Sequence, residues 1–303
     1  MYMTNNKTVE QTPSQTALFV ALRRTIAHKE YNNEKFGPDY LAEIFLPASY
    51  RFFLRFKRIR ENTKNKLAAF MPGLNEYIIA RTALFDGLFV DAIKEKFSQI
   101  VLLGAGYDSR AYRFAKLNSG TRIFELDAPP TQDRKIKCLK AAHISIPAEV
   151  HYVPINFMTE SLSDLLNKAG YKDQERALFL WEGVSYYLDR DAVQQTLDFV
   201  SRCSHPDSAI AFDYIISISE ENLPAYYGAS ELMQSIKEHH SNEALMFSIK
   251  PGEIESFLAD NRLRMIEHMD NAEIERKYLM DDNGSPIGRM AGNLWFVSAS
   301  PMK

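Results

Sequence analysis

From Gln99 onward, short apolar runs rich in β-branched and aromatic residues alternate with helical stretches. The runs are QIVLLGA, TRIFELD, VHYVPIN, ALFLWEG and SAIAFDYI, with segments such as SLSDLLNKAGY and RDAVQQTLDFVSRC between them. Strands this continuously apolar are buried on both faces, and a helix between successive strands makes them parallel. The alternation therefore predicts an open α/β sheet with helices on both sides. KPGEIESFLADNRL reads as a further helix, with Gly252 near its start. RMIEHMD and NLWFVSAS read as two final strands, paired antiparallel at one edge.

The residues before the sheet read differently. TALFVALRRTIAHKEY sets Leu18, Ala21, Leu22 and Ile26 on one side at helical spacing. A basic segment, ASYRFFLRFKRIRENTKNKLAAF, runs into a break at Met71-Pro72-Gly73, and LNEYIIARTALFDGLFVDAIKEKF forms another amphipathic helix. Residues 1–90 are thus expected to be a helical N-terminal cap and 91–303 a Rossmann-like domain. The polar, irregular stretch 217–247 is expected to be a helical lid inserted over the sheet's carboxyl edge.

Composition narrows the partners. A formal net charge of -3 gives no global reason to bind nucleic acid or an anionic membrane, and no apolar run reaches the ~20 residues of a membrane span. The basic segment reads as a solvated helix face. Cys138 and Cys203 are far apart and no His/Cys/Asp group has ligand spacing, so neither a disulfide framework nor a metal is expected. MYMTNNKTVEQTPSQ lacks a signal-peptide core, and the reading is cytoplasmic.

The first strand ends in a bare turn, VLLGAGYDSRAYRF. In an open sheet, ligands bind beyond the strands' carboxyl ends, and this turn is the usual cradle. Gly104 and Gly106 let a ligand touch backbone. FELD ends the second strand with Glu125 and Asp127, some 23 residues after Gly104, where a carboxylate can accept from both ribose hydroxyls. A nicotinamide dinucleotide would want a third glycine, but Ser109 stands there and Asp108 would crowd a pyrophosphate. S-adenosylmethionine has no phosphate, so the turn favours it.

VLLGAGYDSRAYRF, FELDAPPTQDRK and LFLWEGVSYYL resemble the signature segments of the leucine carboxyl methyltransferase-like family. FMPGLNEYIIARTALFDGLFVDAI is similar to its branch of tetracenomycin-type polyketide O-methyltransferases. The resemblance implies a class I methyltransferase fold with a mostly parallel seven-stranded sheet, and S-adenosylmethionine as cofactor. By position it places Arg81 at the carboxylate of the donor's methionine portion, Gly104 beneath that portion, Asp127 on the ribose and Glu182 near the ammonium. An N-terminal basic residue also reaches the donor carboxylate, with Arg24 the candidate and Arg23 beside it. Where the family has Asp before a hydrophobic residue to read adenine, this chain has Asn156-Phe157, an uncharged acceptor.

Taken without the resemblance, Arg81 is an exposed helix residue, Asp108 a helix cap, and Arg113 a structural partner for Glu182. The implied chemistry is methyl transfer to a carboxylate or hydroxyl of a small-molecule acceptor. Tyr186 and Tyr187 are expected in the core or a pocket wall, and Phe52, Phe53, Tyr226 and Tyr227 suggest a flat or apolar acceptor. No general base is legible, His239 and His240 reading as surface residues, which favours a carboxylate already ionised at pH 7. The other readings are a protein C-terminal carboxyl methyltransferase, an NAD(P)-dependent oxidoreductase and a non-catalytic donor-binding protein.

Overall fold

The computed structural model describes residues 12–239 and 245–302. The strands are β1 (Gln99–Leu103), β2 (Arg122–Asp127), β3 (Val150–Pro154), β4 (Ala177–Trp181), β5 (Ala209–Ile215), β6 (Leu263–Met269) and β7 (Leu294–Pro301). They form one seven-stranded sheet in the order β3-β2-β1-β4-β5-β7-β6, the first five strands parallel. β7 runs antiparallel to both β5 and β6. The final pair therefore closes one end of the sheet, as expected, with β7 inside. β6 takes the edge, where a bulge between Met265 and Glu267 interrupts the register.

The helices are α1 (Gln15–Tyr31), α2 (Ala48–Phe53), α3 (Lys57–Phe70), α4 (Leu74–Lys94), α5 (Arg110–Arg113), α6 (Pro129–Ala141), α7 (Leu162–Lys168), α8 (Arg190–Arg202), α9 (Ala229–His239), α10 (Ile254–Asp260) and α11 (Asn271–Tyr278). Side chains alternate along each strand, so β1 feeds two cores. Ile100 and Leu102 pack with Ala21, Ile26 and Phe85 from α1 and α4. Val101 and Leu103 pack with Leu166, Leu197 and Leu258 from α7, α8 and α10.

Two local features depart from the sequence reading. The basic segment divides into α2 and α3, because Leu54 is buried and Arg60 reaches back to the end of α2. Arg60 Nη1 donates to the Leu54 carbonyl at 3.2 Å, and Nε to Glu30 at 3.0 Å. No residue of α3 is buried, so its basic face is solvated. The second feature is α11, which begins with a capping box between Asp270 and Glu273.

Strand order reverses between β1 and β4, which opens a crevice beyond their carboxyl ends. The segment after β5 returns to the sheet through a parallel bridge between Ile216 and Ile249. The side chain of His239 and all of His240 lie outside the described residues. Among the described residues, no helix is long and apolar enough to cross a membrane.

Candidate active site

A cleft of about 380 Å³ occupies the crevice. Its lining brings together all eight residues singled out above: Arg24, Arg81, Gly104, Gly106, Asp127, Asn156, Phe157 and Glu182. They converge from α1, α4, the carboxyl end of β2 and the loops that follow β1, β3 and β4.

The turn is built for close approach. Gly104 and Gly106 have φ of 72° and 46°, where side chains are disfavoured, and a Cβ on Gly104 would collide with Val184. Asp127 Oδ2 accepts from the Gly106 N–H, and Oδ1 from Ala128 N at 2.7 Å, which pins this carboxylate beside the bare turn. Glu125 is instead buried against Lys135 Nζ at 2.8 Å and the Tyr112 hydroxyl at 3.1 Å. Of the two carboxylates in FELD, only Asp127 lines the cleft. Asn156 Oδ1 accepts from Met158 N at 2.9 Å, a local turn that fixes the amide at the cleft's rim.

Beneath the cleft runs a chain of ion pairs. Each oxygen of Glu182 meets a different guanidinium: Arg81 Nε at 3.0 Å and Arg110 Nη1 at 2.7 Å. Arg113, the partner that a purely structural reading offered for Glu182, pairs instead with Asp86 and Asp39, because α5 directs it toward α4. Arg81 is not an exposed helix residue; it is buried and also contacts Asp213 Oδ2 at 3.1 Å. Asp108 accepts from Arg110 N at 2.7 Å and pairs with its Nη1 at 2.5 Å; the N-cap of α5 is Ser109, so Asp108 meets the first N–H of the helix from one residue before the cap. Burial opposes ionisation of Asp108 and Glu182, yet the arginines prevail. Arg110 foremost holds Asp108 down at about 2, and Arg110 with Arg81 holds Glu182 below the usual carboxylate range.

Asp213 was not anticipated. It lies within the apolar run AFDYI of β5 and accepts from Gly183 N at 2.6 Å and from the Tyr77 hydroxyl. A carboxylate inside a buried strand needs such partners, and that need was the available signal.

Ser14 Oγ caps α1 by accepting from Ala17 N at 3.0 Å, while Ser14 N donates to Thr131 Oγ1 at 2.9 Å. These contacts hold the start of α1 over the cleft. Arg24, 3.2 Å from Asp39 Oδ2, faces the cleft. Its neighbour Arg23 faces a second cavity, of about 70 Å³. The two spaces adjoin, sharing Thr16, Val20, Arg81, Gly183 and Tyr187.

The aromatic walls of the second cavity are Phe19, Tyr77, Tyr186 and Tyr187. Phe52 and Phe53 are 53% and 51% exposed, because α2 is a short surface helix with no buried residue. Tyr226 packs into the core and Tyr227 lies under Arg289, so neither lines either space. Burial, then the charge of Asp213, pushes the hydroxyls of Tyr77 and Tyr186 well above the usual phenol range. Both therefore remain protonated and offer no base at neutral pH.

The family model for leucine carboxyl methyltransferase matches residues 17–201. The chain belongs to that family. A relative in Parafrankia sp. (strain EAN1pec) is 31% identical over 207 residues, which are 68% of this chain and 64% of the relative. One in Bacillus subtilis (strain 168) is 32% identical over 178 residues, 58% of this chain and 57% of the relative. Both carry provisional names as S-adenosyl-L-methionine-dependent methyltransferases. This family member spans less than two thirds of the length of either.

Among solved structures, a provisionally named methyltransferase from Thermobifida fusca superposes with a TM-score of 0.61 at 14% identity, covering 96% of each chain. A duf574 family protein from Streptomyces avermitilis gives 0.60 at 14% identity, covering 93% of this chain and 97% of the other. The fold of this family member is accordingly the class I methyltransferase fold.

Proposed function

We propose that this family member is an S-adenosylmethionine-dependent O-methyltransferase acting on a carboxylate or hydroxyl of a small, largely apolar molecule. The observation that carries the reading is the meeting of two spaces at Arg81 and Gly183: a cleft that sets a glycine turn beside Asp108, Asp127 and Glu182, and a smaller cavity walled by Phe19, Tyr77, Tyr186 and Tyr187.

The cleft's charge suits the donor. The network beneath it joins five carboxylates (Asp39, Asp86, Asp108, Glu182 and Asp213) to four guanidiniums (Arg24, Arg81, Arg110 and Arg113). An excess of carboxylate favours a ligand with net positive charge and opposes a diphosphate, and Asp108, held ionised, lines the cleft itself. This supports the methyl donor over a nicotinamide dinucleotide.

S-adenosylmethionine supplies an electrophilic methyl group on a sulfonium. The chain's part is to position and to exclude water. Asp127 would accept from the ribose hydroxyls, Arg81 and Arg24 would face the donor carboxylate, and Glu182 the ammonium. Asn156 would read the adenine beside Phe157. The apolar cavity would hold the acceptor with its oxygen toward Arg81 and Gly183. Tyr77 and Tyr186, both held protonated, offer it no base, which supports an acceptor that is already ionised. With α1 and Leu232 of α9 bordering this cavity, a small molecule suits it better than a peptide tail.

Thermal shift tests the donor: S-adenosylhomocysteine should raise Tm and NADH should not. Incubation with methyl-labelled donor and a panel of aryl acids and phenols tests the transfer. Labelled ester or ether is expected, and its absence across the panel would count against the reading.

A further inference from the structure

Arg23 lies on α1, 3% exposed, and lines the smaller cavity. Among the described residues, its Nε, Nη1 and Nη2 all lack a hydrogen-bond partner. Each of the other arginines at the site has a carboxylate: Arg24 has Asp39, Arg81 has Glu182 and Asp213, Arg110 and Arg113 share Asp86. A buried cation left without an anion is costly, and natural folds rarely keep one without a use for it.

Its surroundings do not discharge that cost. The Phe19 ring lies 3.9 Å from the guanidinium carbon and covers one face, but a ring face offers nothing to the in-plane N–H donors. Glu76 lends a favourable field, yet burial dominates and pulls Arg23 down to about 9. Apart from Thr16 and Arg81, whose guanidinium is already paired with Glu182 and Asp213, the other side chains around the cavity are apolar or phenolic, Leu74, Ile78, Tyr77 and Tyr186 among them.

We propose that Arg23 anchors a carboxylate of the acceptor, whose apolar body lies against Phe19, Tyr77 and Tyr186. The acceptor is then an aromatic or otherwise apolar carboxylic acid. A planar guanidinium meets a carboxylate through two parallel hydrogen bonds, which fixes orientation as well as charge. The inference rests on the reading of the adjoining cleft as the donor site, since that makes this cavity the acceptor's.

The test uses benzoate and its neutral isostere benzamide as probes, titrated calorimetrically into protein saturated with S-adenosylhomocysteine. Wild type should bind benzoate about tenfold or more tightly than benzamide, the scale of a charge-assisted pair. Arg23→Gln should abolish that preference while its own S-adenosylhomocysteine affinity, which also certifies its fold, stays within about threefold. Arg23→Lys should retain part of the preference, and it decides the matter if Arg23→Gln does not fold. Equal binding of the two probes to wild type, or a preference that survives Arg23→Gln, would overturn the anchor. Failure of S-adenosylhomocysteine to bind wild type, seen in the prior titration, would overturn the donor reading and the anchor with it.

Discussion

Arg81 Nη1 lies 3.1 Å from Asp213 Oδ2 in the interior, where the two side chains are 6% and 2% exposed. Through this pair a strand carboxylate grips a helix arginine, while its other contacts hold Tyr77 and the backbone of Gly183. The wall between cleft and cavity is thus fixed by one residue of β5 that lines neither space.

Asp213→Asn should therefore damage both stability and binding. Removing one partner of a buried pair costs about 3–5 kcal/mol, and Glu182 remains to offset part of it. A loss of about 3 kcal/mol in urea unfolding is expected, with S-adenosylhomocysteine affinity down about tenfold. A variant as stable as wild type would show that the pair is not what holds Arg81.

Gly183→Ala probes the same wall sterically. Gly183 has φ of 73°, and an added Cβ would lie 2.8 Å from Arg81 Nη1. Gly170, with φ of 92° and open space around it, is the control for backbone strain alone. Each alanine should cost about 1–3 kcal/mol through strain, but only the one at 183 should also weaken S-adenosylhomocysteine binding.

Stability should respond to acid through Asp108. Its folded-state pKa, about 2, lies below the unfolded value, so its contribution is complete above about pH 4 and fades as pH falls toward 2. Glu182 shifts in the same direction. The wild-type advantage over Asp108→Asn should be about 2 kcal/mol at pH 6 and should shrink steadily between pH 4 and 2.5. Urea midpoints across that range would check it; an advantage unchanged with pH would exclude the Arg110 pairing as its source.

How much of this was legible depended on whether the signal was local. The five parallel strands, the glycine turn and Asp127 are written in short stretches, and each appears where those stretches place it. The capping box of α11 is equally local, in Asp270 and Glu273. Partner choice was another matter. Glu182 called for a cation, yet only the packing of α4 and α5 against β4 shows that the cations are Arg81 and Arg110 rather than Arg113. Asp213 carries no sign of its partners in the sequence, because Tyr77 and Arg81 reach it only when α4 packs across the sheet. Arg23 and Arg24 are neighbours in sequence, but successive helical residues point about 100° apart. The sequence could not tell which of them faces the cleft.

The most direct measurement is isothermal titration of S-adenosylhomocysteine into wild type and Asp127→Ala. Wild type should bind at a single site, and the alanine variant about 10–100-fold more weakly while remaining folded, because two charge-assisted hydrogen bonds to the ribose are lost. No heat of binding with wild type, or equal affinity in the two proteins, would contradict the assignment of this cleft to the donor.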